Sequence, residues 1–151
     1  MNNRDLTRRG FVKQSALTAV TTLPLASTRP ESAAILKIVC VGAHPDDPES
    51  GCGGALARYA ALGHAVTIVY LTRGERGIEG KSLDEAARIR TAECEAACRI
   101  IGAKPVFFGQ IDGATEVTRA QVDAMQRLLA TQSPDLLFTH WPVDTHMDHR
   151  R

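Results

Sequence analysis

His44, Asp46 and Asp47 fall within four residues of one another in the stretch Gly42-Ala43-His44-Pro45-Asp46-Asp47-Pro48-Glu49-Ser50-Gly51-Cys52-Gly53-Gly54, a turn tightened by proline and glycine. A second cluster, His146-Met147-Asp148-His149, lies far along the chain. Imidazoles and carboxylates so grouped are the material of a metal-dependent active site. Two imidazoles and one carboxylate make a three-ligand set with metal positions left open, and zinc hydrolases use such sets to bring the pKa of water down to about 7. A neighbouring carboxylate that is not a ligand can take the proton of that water. Asp46 and Asp47 can divide these roles, one as ligand and one as base. A nearby His can stabilise an oxyanion or protonate a leaving group. A carboxylate beside that His can orient it, and Asp148 is placed for this. The same ligand set also describes non-haem iron oxygenases, so Fe2+ stands beside Zn2+ as a candidate cofactor. The extra Asp tilts the reading toward hydrolysis.

The two clusters can meet only if the fold brings them together. Ile35–Val41 is a nearly continuous apolar run with β-branched residues and reads as a buried parallel strand. Gly51–Leu62 reads as a helix with Ala55, Leu56, Tyr59 and Leu62 at helical spacing and Gly63 past its end. His64–Leu71 is a second strand. The glycine-rich, charged loop Thr72–Lys81 follows, with Glu75 and Arg76 as solvated charges. Leu83–Ile101 is the longest helix, with Ser82 as N-cap, Glu85 in the capping-box position and an apolar stripe Ala86, Ile89, Ala92, Ala96, Ile100. Pro105–Phe108 is a third strand. Thr118–Leu129 is a third helix with Val122, Met125, Leu128 and Leu129 inward. Leu136–Thr139 is a fourth strand. This β-α-β-α-β-α-β order predicts a doubly wound, Rossmann-like α/β fold: three layers and a mainly parallel sheet in the order 3-2-1-4. Ligands bind beyond the carboxyl ends of the strands where that order reverses, between strands 1 and 4. His44, Asp46 and Asp47 follow strand 1, and His146, Asp148 and His149 follow strand 4.

Composition narrows the class. Of 151 residues 44% are hydrophobic and 23% charged, ordinary for a globular protein. Residues 1–34 carry five Lys/Arg and two Asp/Glu, against 13 and 15 in the remainder, a net of −2 there. No basic face and few aromatics (Trp141, two Tyr, four Phe) argue against a nucleic-acid partner. The cysteines Cys40, Cys52, Cys94 and Cys98 form no C-x-x-C pair and read as packing residues. Thr7-Arg8-Arg9-Gly10-Phe11-Val12-Lys13 resembles a twin-arginine export signal, and Ala16–Ala26 has the length of a signal core, too short to span a bilayer. Residues 1–34 are therefore expected to direct export to the periplasm or the exterior, with no stable membrane span afterwards. Residues 35–151 are the expected folded domain.

Ala43-His44-Pro45-Asp46-Asp47 together with Asp144-Thr145-His146-Met147-Asp148-His149-Arg150 resembles the PIG-L/LmbE-like deacetylases, and Leu71–Gly77 and Arg88–Glu93 look like the family's connecting segments. The resemblance covers roughly residues 37 to 151. It implies zinc-dependent removal of an N-acetyl group from a glucosamine-type sugar or glycoconjugate. By position it implies His44, Asp47 and His149 as metal ligands, Asp46 as general base, His146 as oxyanion stabiliser or proton donor, and Asp148 orienting His146. It carries Arg73 or Arg90 to the substrate only weakly. Two features depart from the pattern. The family commonly has Glu directly after the paired Asp; here Pro48 intervenes and Glu49 follows. The family also usually continues beyond its second motif, so the expectation is an incomplete domain lacking C-terminal strands, with Leu136–Thr139 at an open edge.

Competing readings are a non-catalytic metal- or sugar-binding module, an inactive fragment of such an enzyme, or a nucleotide-binding module. Gly51-Cys52-Gly53-Gly54 lacks the G-x-G-x-x-G spacing of the last class, and those glycines read instead as close packing of helix on strand. His64 and His140 read as strand ends, and Asp144 as a turn residue.

Overall fold

The structure is a computed structural model that describes residues 34–151. The expected export segment, save Ala34, lies outside the described residues. Four strands form one sheet: β1 Lys37–Gly42, β2 Ala65–Tyr70, β3 Lys104–Phe107 and β4 Leu136–Phe138, in the order β3-β2-β1-β4. All three pairings are parallel, with Ile38 opposite Val66 and Leu136, and Thr67 opposite Lys104. The expected doubly wound order 3-2-1-4 is therefore the observed one. Helices α1 (Asp47–Ala61), α2 (Leu83–Ile101) and α3 (Arg119–Gln132) are the crossovers.

Alternation along β1 and β2 builds the core. Ile38 and Cys40 point to one face with Val66, Ile68 and Tyr70, where Leu56 of α1 and Cys94 and Cys98 of α2 complete a buried cluster. The neighbouring residues Val39 and Val69 are buried on the opposite face. Val41 and Leu137 there line a groove with Met125 and Leu129 of α3. Three of the four cysteines are buried and all four are free, in keeping with a packing role; Cys40 Sγ and Cys52 Sγ lie 3.6 Å apart.

Helix α2 has the expected bounds, and Ser82 Oγ accepts from Glu85 N at 3.2 Å. The reciprocal half of the expected capping box is diverted: Glu85 Oε1 accepts from Lys81 Nζ at 2.7 Å. Its buried face also differs from the expected stripe. Ala86, Ala87, Cys94 and Cys98 are buried, whereas Ala92 is exposed and Ile100 is 86% exposed. Alanines occur on several faces of this helix, so more than one helical stripe can be drawn through them, and packing against Tyr70 and Leu56 selects the one bearing cysteine. Helix α3 has no fully buried residue, and Val122 is exposed. Helix α1 starts four residues earlier than its periodicity predicts, with Pro48 in its first turn, where a missing N–H costs nothing.

The glycine reading also needs correcting. A side chain at Gly51 or Gly54 would meet nothing within 4 Å, so close packing does not explain them. The tight approach is at Gly42, the last residue of β1, where a Cβ would lie 2.6 Å from Pro48 Cδ and 2.7 Å from Pro48 Cγ. That contact folds the start of α1 back over the end of β1. Gly42→Ala should therefore destabilise the protein by about 1–3 kcal/mol, as overpacking does. A urea midpoint equal to that of the parent would show that the proline ring yields freely.

Candidate metal centre

Three strand ends supply the site, and Asp47 is its centre. Its Oδ2 accepts from His44 N at 2.7 Å, which pins the carboxylate to the turn after β1. The same oxygen lies 3.2 Å from His44 Nδ1, 3.3 Å from His149 Nε2 and 3.3 Å from His140 Nε2. Helix α1 places Asp47 at its first residue, and the short 3₁₀ turn Asp148–Arg150 delivers His149. The His146 ring meets that of His44 edge-on at 4.6 Å and lies 4.8 Å from that of His149. The clusters after β1 and β4 thus meet at the reversal of strand order.

The electrostatics are those of a concentrated carboxylate field. Burial lowers the pKa of His44, but its bonds to Asp47 and Asp148 outweigh this and raise it to about 9. Burial raises that of Asp47, and the hydrogen bonds from His44 more than reverse this, bringing it down to about 2. Asp148 likewise falls to about 2: burial raises it, and Thr115, Gly113 and His44 outweigh burial. His140 is shifted downward, first by burial and then by His149. A neutral His140 agrees with its geometry, because Nε2 accepts from Ala43 N at 3.1 Å.

His44 and His149 each bring a ring nitrogen to Asp47 Oδ2, and the side-chain groups here whose ligand atoms lie mutually close are His44 with His146 and His149, Asp47 with His140 and His149, and His44 with Asp112 and Asp148. Bond lengths of 2.0–2.2 Å around a tetrahedral ion place neighbouring ligand atoms roughly 3.3–3.5 Å apart, and both imidazole nitrogens lie at about that spacing from Asp47 Oδ2. Each of these two imidazoles also has a carboxylate at its far nitrogen: Asp144 Oδ2 is 3.2 Å from His149 Nδ1, and Asp148 Oδ2 is 3.0 Å from His44 Nε2. Metal-bound histidines characteristically have a hydrogen bond of this kind; His44 makes it to Asp148, whereas His149 Nδ1 is close to Asp144 without hydrogen-bonding it.

Not every expected role survives the geometry. Asp148 does not direct its carboxylate at His146. Its Oδ1 accepts from Thr115 Oγ1 at 2.6 Å, and its Oδ2 accepts from Gly113 N at 2.8 Å and faces His44. The link to His146 is through the backbone: Asp148 N donates to His146 Nδ1 at 3.3 Å. Asp46 is 63% exposed and holds a left-handed backbone with φ 104°, a conformation Asp tolerates better than most residues. That twist sends Asp47 inward and Asp46 to the rim, where its Oδ2 accepts from Arg90 at 2.7 Å. Arg90 also donates to the carbonyl of buried Pro45, so its guanidinium is directed at the turn itself. Arg73 instead lies over the Phe107 ring, 5.8 Å from its centroid. The displaced acid Glu49 accepts from Asp46 N at 3.2 Å and from the Tyr70 hydroxyl, closing the start of α1.

Four residues escaped sequence reasoning in whole or in part. His140, read as a strand end, stacks flat on His149 with ring centroids 3.9 Å apart and touches Asp47. Asp112 lies 3.2 Å from His44 Nε2. Thr115 is buried against Asp148. Glu75, read as a solvated charge, is buried and accepts from Arg73 N and Asp112 N. His64, by contrast, is structural as expected: its Nδ1 accepts from Leu36 N. The available signal for His140 was its place at the end of β4, beside the reversal.

Comparison with known proteins gives the same outline. The PIG-L family model, described as GlcNAc-PI de-N-acetylase, matches residues 39–151. A 1D-myo-inositol 2-acetamido-2-deoxy-alpha-D-glucopyranoside deacetylase of Corynebacterium glutamicum is 32% identical over 143 residues, covering 76% of this chain and 49% of its own. The N,N'-diacetylchitobiose deacetylase of Pyrococcus horikoshii superposes with a TM-score of 0.71 at 27% identity, covering 99% of this chain and 57% of its own. GalB, the 4-carboxy-2-hydroxymuconate hydratase of Pseudomonas putida, superposes with a TM-score of 0.70 at 27% identity, covering 76% and 52%. The chain spans about half the length of the curated relatives it matches.

Replacing Arg90 by Met should leave the buried Pro45 carbonyl without its donor, a loss of about 1–3 kcal/mol. Chemical denaturation measures it, and an unchanged midpoint would mean that Arg90 does not hold the turn.

Proposed function

Because this chain belongs to the PIG-L family, we propose that it is a metal-dependent hydrolase that removes an N-acetyl group from an amino sugar of the N-acetylglucosamine type. The observation that carries this reading is the convergence of His44 Nδ1 and His149 Nε2 on Asp47 Oδ2. The names of the relatives support it, since two of them are deacetylases of N-acetylated sugars.

His44, Asp47 and His149 would hold the ion, with zinc favoured and ferrous iron the alternative. Zinc bound there supplies a Lewis acid that polarises the amide carbonyl and acidifies water. Asp46, with its carboxylate at the rim, receives the proton as water adds to the carbonyl carbon. Arg90 directs that carboxylate through an ion pair at 2.7 Å. His146 accepts from Asp148 N at Nδ1, so its Nε2 carries the proton of the neutral ring. That N–H can hydrogen-bond the developing oxyanion, while the proton taken up by Asp46 passes to the leaving nitrogen. The carbon–nitrogen bond then breaks to give acetate and the free amine.

Asp46→Asn should lower acetate release from an N-acetylated amino sugar by about 10²–10⁴-fold while zinc content stays at the parent level. His44→Ala should lose the zinc. Full activity in Asp46→Asn would remove the assigned base, and unaltered zinc content in His44→Ala would remove the assigned ligand set.

The likeness to GalB gives a second reading weight, because a hydratase also adds water to its substrate. Turnover of 4-carboxy-2-hydroxymuconate, with no acetate from any N-acetylated sugar, would favour it. Zinc binding without either turnover would favour a non-catalytic binding module. We infer further that Arg8 and Arg9 direct export by the twin-arginine route. Replacing both by Lys should keep the protein in the cytoplasmic fraction, and undiminished export would refute that role.

A further inference from the structure

Neither close packing nor the proposed reaction accounts for the stretch Gly51-Cys52-Gly53-Gly54. Its cysteine faces another one. Cys52 Sγ lies 3.6 Å from Cys40 Sγ, and both thiols are free. Cys40 is in β1, an interior strand, where it is paired with Ile68 of β2 and Phe138 of β4. Its backbone is therefore held on both sides. Cys52 sits at a break in α1: its φ of −148° and ψ of 15° are non-helical, and the helix kinks there.

The two thiols differ in access. Cys40 is 3% exposed, whereas Cys52 is half-buried. A cavity of about 270 Å³ is lined by both, together with Gly51, Phe138, Asp47 and His140. Gly51 is exposed, and a Cβ there would meet nothing within 4 Å, so the residue before Cys52 leaves its approach open. The other two cysteines are placed differently. Cys94 and Cys98 are buried four residues apart on α2, a spacing at which a disulfide strains its geometry. Cys98 Sγ meets the Tyr70 hydroxyl at 3.5 Å.

A separation of 3.6 Å is close to the roughly 3–3.5 Å at which reacting atoms are poised. A disulfide bond of about 2.05 Å requires the sulfurs to close the remainder. The cavity gives that movement room, and the break at Cys52 frees its residue from the regular helix. We propose that Cys40 and Cys52 are a redox-active dithiol, oxidised to an intramolecular disulfide by a small-molecule disulfide such as oxidised glutathione. The accessible Cys52 loses its proton to solvent and attacks one sulfur of the oxidant. The oxidant's S–S bond breaks, one glutathione leaves and takes up a proton, and Cys52 carries the other. Cys40 then attacks the Cys52 sulfur, and the second glutathione leaves with the Cys40 proton. Two protein thiols are oxidised and one oxidised glutathione is reduced to two thiols. Burial pushes the Cys40 thiol upward, which suits it to the second attack and not the first. The new bond ties the break in α1 to β1. Neither thiol belongs to the assigned ligand set, so the proposal stands apart from the metal reading.

The test uses the full chain, reduced and then freed of reductant. It is incubated with oxidised glutathione in native buffer, its remaining thiols are alkylated in denaturant, and peptides are mapped without reduction. Trypsin releases Cys40 and Cys52 together, because no Lys or Arg separates Lys37 from Arg58. That peptide should be lighter by two hydrogens and carry no alkyl group, while Cys94 and Cys98 are alkylated. Cys40→Ser should stop with glutathione on Cys52, and Cys52→Ser should leave Cys40 a thiol. The parent result decides even if a variant fails to fold. A parent peptide that keeps both thiols overturns the proposal, and so does one that holds glutathione without closing the link. Links to Cys94 or Cys98 in equal measure overturn it too, since they would show that the native geometry selects nothing.

Discussion

One carboxylate oxygen, Asp47 Oδ2, holds the centre together. It accepts from the backbone of His44 and lies within 3.3 Å of three imidazole nitrogens. A buried carboxylate is costly to keep charged unless such partners surround it. Its place follows from the chain direction. Gly42 lets Pro48 fold over the end of β1, α1 starts at once, and the first helical residue points back into the reversal of strand order. The left-handed backbone of Asp46 is the local cost of that turn. Arg90 braces it from α2 by bonding both Pro45 and Asp46.

A second layer of polar groups surrounds the first. Asp112, Thr115 and Gly113 arrive from the loop after β3, and Glu75 arrives from the loop after β2. Every strand of the sheet thus sends residues toward one edge, and the parallel pairing that aligns the strands also aligns the loops beyond them. The site is a property of the sheet as a whole, while the ligand motifs supply only its inner surface.

The fold was legible because strands and helices advertise their periods. The alternation of apolar runs with helical spacing implied the sheet order, and that order alone predicted that His44 and His149 would meet. Motif residues were legible for the same reason, as each cluster follows a strand. Loop residues carry no period, so nothing in the sequence marked Asp112 or Glu75 as buried. The stripe on α2 was misread because its buried face carries cysteines and Arg90, while Ile100, the more apolar residue, faces outward. His140 was misread because a polar residue at a strand end is commonly only a terminus. The role of Asp148 was misread because adjacency in sequence suggested His146, whereas the 3₁₀ turn swings its carboxylate to His44.

The bond between His44 and Asp148 joins residues 104 positions apart. Closing so long a loop is entropically expensive, and it gains nothing until β4 has paired with β1. The centre is therefore complete only where β4 is paired with β1. Local opening at β4 would dissolve the ligand set before it disturbed β1 and β2. An ion held between residues that follow β1 and β4 would favour the docked form by mass action, so its binding would be coupled to the pairing of β4 with β1.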